Sequence, residues 1–216
     1  MRPEPTCPRC VGPLRAPGLW SSDWTCAGHG VVHPFALAPR ACPEALDHVR
    51  SLAQVPLWLP APMPTGWLVS GVGHAGDERT GARATLLACS GPAPLGGPAD
   101  LVLVAEDPGV GLGARFAGLA APDPGPEITD AAPHAKVEAA GHPTPLWNLP
   151  ADDRAGFVGA AMGLWLWAVL WPADAGLLLL EDLVLRDSRE GGPEPTVEFG
   201  SLSPRLSQPN AGGPPG

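Results

Sequence analysis

The sequence predicts an α+β fold, a mainly antiparallel sheet with marginal helices, preceded by a small metal-organised segment. Three observations predict it. Short apolar runs rich in Val, Leu and Trp recur along residues 65–200, separated by turn residues. Gly and Pro number 28 and 30 of 216 residues, and they fall between those runs, where they punctuate turns. Metal-ligand residue types gather instead in the first thirty positions, at Cys7, Cys10, Cys26 and His29. Strands joined by short turns pair antiparallel, and helices are left to the margins.

Composition divides the chain into four parts. Residues 1–36 carry the ligand-type residues, and residues 37–64 form a connector holding six prolines. Residues 65–200 carry the core, and residues 201–216, with little to bury, read as a disordered tail. In the connector a short helix is expected after Cys42, with Pro43 at its first position and Leu46, Val49 and Leu52 along one side. In the core, 67–72 and 82–88 read as strands of a hairpin around the polar turn 76–81. Residues 101–105 are apolar on both faces, so a strand there is covered on both sides. Weaker strands are expected at 136–140 and 146–149, and a strong one at Leu164–Trp171, closed by Pro172. Trp165, Trp167 and Trp171 share one face of that strand and Leu164, Leu166 and Leu170 the other, which favours burial over a ligand platform. Residues 177–187 suit a helix, with Leu179, Leu180, Leu183 and Val184 on one face and Glu181, Asp182 and Arg186 elsewhere.

Charge narrows the partners. The net charge of −9 is uneven: residues 1–50 hold five Arg against four acids, +1, and residues 51–216 hold eight basic residues against eighteen acids, −10. Affinity for nucleic acid comes largely from phosphate neutralisation, so the larger part would be repelled. Only Arg2, Arg9 and Arg15 of the N-terminal segment could make such a contact. The most hydrophobic stretch, 164–185, is broken by Pro172, Asp174 and Glu181-Asp182, so no membrane span is expected. Met1-Arg2-Pro3-Glu4-Pro5 leads into the first cysteines without an apolar region, so no secretory leader is expected either. An odd count of five cysteines fits a reducing, cytoplasmic setting better than a disulfide framework.

Cys7-Pro8-Arg9-Cys10, fifteen residues, then Cys26-Ala27-Gly28-His29 makes two ligand-x-x-ligand pairs. Two residues between ligands let a tight turn point both side chains at one ion, and zinc settles tetrahedrally among thiolates and imidazole. Three thiolates and one imidazole around zinc leave a charge of −1, which Arg9 could offset. His33 is an alternative fourth ligand, at a spacing less suited to a tight turn. A redox Cys-x-x-Cys would precede a helix, whereas Val11-Gly12-Pro13 follows here. The segment resembles a zinc ribbon, departing from it in the displaced glycine, Gly12, and in a histidine as fourth ligand. Cys7-Pro8-Arg9-Cys10, the stretch Trp-Thr-Cys-Ala-Gly-His-Gly from Trp24 and Trp-Leu-Trp-Ala-Val-Leu-Trp-Pro from Trp165 are also similar to an uncharacterised actinobacterial family. That resemblance covers most of the chain and implies no activity.

Other candidates are weaker. The 109–114 stretch matches the loose G-x-G-x-x-G/A phosphate-loop pattern, but Pro122, Pro124 and Pro126 follow too soon for a sustained helix. Cys89 could be a nucleophile with His74, His134 or His142 as its base, yet a free cysteine closing an apolar strand is usually a small core hydrophobe. The pairs Glu106-Asp107, Asp152-Asp153 and Glu181-Asp182 read as solvated acids beside turns or on a helix surface. The expected function is therefore a zinc-binding, non-enzymatic interaction or regulatory protein that uses the ribbon to dock. Its partner would be a protein or small ligand. The alternatives are an enzyme with a site around Cys89 and a histidine, or weak nucleic-acid contact through the ribbon.

Overall fold

The structure, a computed structural model, describes residues 4–19, 21–190 and 197–207. Three two-residue strands, β1 (Leu14–Arg15), β2 (Thr25–Cys26) and β3 (Gly30–Val31), make a small antiparallel sheet in that order. The chain then enters a second sheet through β4 (Phe35–Leu37), forms helix α1 (Pro43–Leu52) and returns as β5 (Trp58–Pro60). The rest of this sheet is β6 (Leu68–Asp77), β7 (Gly81–Pro92), β8 (Pro98–Glu106), β9 (Ala135–Ala139), β10 (His142–Leu149), β11 (Ala155–Ala161), β12 (Leu164–Trp171) and β13 (Val184–Asp187). Helix α2 (Leu112–Ala117) follows β8. The order across the sheet is β4-β6-β7-β8-β12-β11-β10-β9-β13-β5. Every pairing is antiparallel except β13 with β9.

The expected hairpin forms around the polar turn, where Asp77 Oδ1 accepts from the Thr80 hydroxyl (2.8 Å) and from the Thr80 and Arg79 amides (2.9 and 3.1 Å). Alternation along β12 divides the core as the sequence implies. Leu166, Ala168 and Leu170 join one apolar cluster with Leu46 and Val49 of α1. Trp167, Val169 and Trp171 join another with Leu112 and Phe116 of α2. The sheet curls so that β5, one of its edges, packs over β7 and β8 on the α1 side. Both faces are covered, which is why the central strands are apolar on both sides.

Two expectations change. Residues 177–187 are not a helix: 3₁₀ turns span Ala173–Leu180, and Val184–Asp187 is a strand. The leucine spacing fits a helix, but Val184, Leu185 and Arg186 find backbone partners on β9 and β5, and tertiary pairing outweighs local preference. Glu181 and Asp182 are accordingly not on a helix surface. Residues 201–207, expected to bury little, place Leu206 in the α2-side cluster, where a Cβ at Gly71 would meet its Cδ1 at 2.1 Å. The remainder of the tail, 208–216, lies outside the described residues. Helix α2 begins directly after Gly111 and stops at Gly118, so the glycine loop is followed by a helix too short to be sustained, as the prolines after it imply.

Candidate metal centre

The two ligand pairs are shaped by backbone turns. In the first, the Val11 amide donates to the Cys7 carbonyl and the Cys7 amide to the Gly12 carbonyl, both at 2.9 Å. Val11 closes the turn at φ +61°, an uncommon conformation for a β-branched residue. A Cβ at Gly12 would come within 3.2 Å of Cys10 Sγ, so the displaced glycine makes room for the thiol. In the second pair, Cys26 and Gly30 face each other across β2 and β3, and Gly30 takes φ +68°.

These turns bring one donor atom each of Cys7, Cys10, Cys26 and His29 within 4.8 Å of one another, a group that could hold a metal ion. Cys10 Sγ lies 3.7 Å from Cys26 Sγ, and His29 Nδ1 lies 3.6 Å from the sulfurs of both Cys7 and Cys26. A disulfide needs sulfurs about 2.05 Å apart, and all five cysteines are free. The thiols are unequal. Burial pushes Cys7 up to about 12. At Cys26 burial acts in the same direction, but His29 and the backbone at Gly28 and His29 outweigh it and hold the thiol down at about 6. His33 is not in the group and instead lines a cavity of about 280 Å³ with Arg83 and Asp107.

The segment is seated against the larger sheet. Thr6 and Phe35 exchange two backbone hydrogen bonds (2.9 and 2.8 Å). Arg9 Nε donates to the Val110 carbonyl at 3.1 Å and Nη2 donates to that of Gly109. Trp24 Nε1 donates to Asp77 Oδ2 at 3.2 Å. A boundary at residue 36 therefore cuts through β4.

The other candidates lose ground. Cys89 is fully buried, and that burial pushes its thiol up to about 12, the setting of a small core hydrophobe and a poor one for a nucleophile. His74 is buried against His48 of α1, with ring centroids 5.7 Å apart, while His134 Nδ1 accepts from the Asn148 amide. His74 and His48 line an apolar groove of about 440 Å³ with Trp24, Leu37 and Val49. The glycine loop does lead into a helix, but Glu106 already occupies its N-terminus: Leu112 N donates to Oε2 at 2.7 Å and Gly113 N to Oε1 at 3.2 Å. A phosphate would meet a side chain where it needs free amides.

Glu106 thus corrects the expectation of a solvated acid, since it is 0% exposed. Burial, with Asp123 adding to it, pushes its carboxyl up from 4.5 to about 8 against the pull of the two amides. The folded chain then holds a proton that the unfolded chain releases between those values, so stability falls as pH rises through that window. Below about pH 6.5 His74, lowered to about 4 by burial, acts oppositely. We expect Glu106→Gln to flatten the fall in melting temperature between about pH 6.5 and 8.5. An unchanged slope would assign it to another group.

A family model matches residues 1–206. The chain belongs to the family of unknown function DUF6758. The DUF6758 match takes in the Cys/His group and the whole ten-stranded sheet. No curated protein and no solved structure matches the chain. Among the described residues no helix is long and apolar enough to cross a membrane.

Proposed function

We propose that the protein is a zinc-binding, non-enzymatic interaction or regulatory protein of the cytoplasm, whose ribbon is the docking element. The observation that carries this is the set of inter-ligand distances. A tetrahedron with zinc–sulfur bonds of about 2.3 Å and zinc–nitrogen bonds of about 2.0–2.1 Å has S–S edges near 3.8 Å and S–N edges near 3.6 Å, about the spacings that a closed structural site requires. Three of the six edges here are 3.7 Å for Cys10–Cys26 and 3.6 Å for Cys7–His29 and Cys26–His29, and all four donors lie within 4.8 Å of one another. Four protein donors leave no open position for substrate, so the site organises structure and performs no reaction.

The ribbon carries exposed apolar side chains that the metal would hold in place, Leu19 (98% exposed) and Val31 (65%). Contact with nucleic acid is the poorer reading, because Arg9 is tied to carbonyls of the larger domain and the remainder is acidic. The apolar groove beside His74 and His48 supports a small ligand as the second class of partner. Affinity capture from the native cytoplasm tests the docking reading. The double variant Leu19→Ser, Val31→Ser should keep its zinc and lose the partner retained by the wild type. Equal capture by both would place recognition elsewhere.

A further inference from the structure

Arg115 lies in α2, 3% exposed, and none of its three guanidinium nitrogens has a hydrogen-bond partner among the described residues. Its Cζ sits 4.9 Å from the Phe35 ring centroid and 4.3 Å from that of Phe116. Aromatic faces attract a cation but return only part of the hydration it gives up, and a buried charge without an anion is costly. Glu106, buried on the same face of the sheet, makes no hydrogen bond to the guanidinium; its oxygens accept from Leu112 and Gly113 instead.

What lies against this helix is the first ligand turn. Phe35, whose ring covers the guanidinium, exchanges backbone hydrogen bonds with Thr6, the residue before Cys7. Arg9, between Cys7 and Cys10, donates to Val110 and Gly109 just before α2. A Cβ at Gly111 would lie 3.1 Å from Arg9 Cγ. Once deprotonated, Cys7 and Cys10 would favour the charged form of Arg115 more than Glu106 does.

We propose that Arg115 is the internal counter-ion of the metal centre. The proposal rests on the zinc reading above. A divalent ion with three thiolates and one neutral imidazole carries one net negative charge, and the buried guanidinium, on the helix against which the Cys7–Cys10 turn is seated through Arg9 and Phe35, balances it. Metal binding takes the protons off the thiols, so the ion creates the charge that Arg115 lacks in the metal-free chain. Loading and the seating of the ribbon on the domain are thereby coupled. Arg115 is a positioning residue: it acts through the charge of the ligands and does not touch the ion.

The sign of the effect tests this. In the full chain, Arg115→Met keeps much of the side chain's bulk and removes the charge, whereas Arg115→Lys keeps the charge. Zinc affinity is read by competition with a chromophoric chelator, and melting curves are taken with and without zinc. Arg115→Met should bind zinc at least tenfold more weakly than wild type, with Arg115→Lys recovering most of the loss. Without zinc the Met variant should melt no lower than wild type, because an unpaired buried charge has gone; with zinc it should melt lower. Zinc affinity within twofold of wild type would overturn the proposal, as would an equal loss of stability in both states. Arg115→Gln gives the same comparison if the Met variant does not fold. Lysine binding zinc as weakly as either neutral residue would also overturn it. A wild-type chain that binds no zinc removes the functional reading itself, a different outcome from one zinc held equally well by every variant.

Discussion

Cys26→Ser should leave the purified chain without zinc where the wild type carries one ion per chain, as read by elemental analysis. Cys26 stands inside the group that could hold the ion, its sulfur 3.7 Å from that of Cys10 and 3.6 Å from His29 Nδ1. A serine hydroxyl is a poor replacement for a thiolate donor. The loss goes beyond the ion. The ribbon's own apolar cluster is Cys7, Cys26 and Val32, with Leu14 packed against it, far too few to offset the entropy of ordering some thirty residues. Structural zinc sites contribute about 10–16 kcal/mol in small peptides, so a bound zinc would supply most of what orders this segment. Chelation should therefore redden the emission of Trp24, which is half-buried, while Trp58 and Trp167, fully covered in the large sheet, keep theirs. The large sheet should retain a cooperative melt of its own. Metal-free protein with intact thiols from a zinc-replete preparation would overturn the zinc reading. Loss of the whole structure in one step on chelation would show that the ribbon is integral to the core.

The sequence announces the central strands and the ligands for different reasons. β7, β8 and β12 are covered on both faces, so burial demands continuous apolar runs, and such runs are visible in a single chain. The ligands are visible because tight turns fix their spacing. β11 leaves no such trace. Its sequence Ala-Gly-Phe-Val-Gly-Ala-Ala is small because neighbours press close: a Cβ at Gly159 would stand 2.2 Å from the Pro145 carbonyl oxygen. Smallness dictated by a strand many residues away has no period to detect. The same holds for Arg115 and Glu106, whose burial depends on segments brought together only by the fold. An arginine in a glycine-rich loop reads as solvated until Phe35, some eighty residues earlier, is seen to cover it. The run Leu177–Leu180 misleads in the opposite sense, since its spacing satisfies a helix while its chain continues into a strand.

Gly113→Ala should lower the melting temperature of the zinc-loaded protein, against the usual benefit of that exchange inside a helix. Alanine is favoured over glycine by about 1 kcal/mol at a helical position with free space. Here the added Cβ would lie 2.2 Å from Trp167 Cγ and Cδ1 and 2.5 Å from Nε1, and something must move. Trp167 is fully buried and its backbone is paired on both sides, with Val104 of β8 and Val158 of β11, so the indole is held. α2 must lift instead. It has only six residues, and lifting it pulls the Gly113 amide from Glu106 and draws Phe116 out of its cluster. Overpacking of this kind costs about 1–3 kcal/mol or more, enough to lower Tm by several degrees in a domain of this size, at about 2–4 °C per kcal/mol. The same movement displaces Arg115, so zinc affinity should fall together with Tm if that residue balances the centre's charge. A variant that melts at or above the wild type would mean that α2 does not rest on Trp167. A variant that melts lower with its zinc affinity intact would separate the packing of the helix from the charge of the metal site.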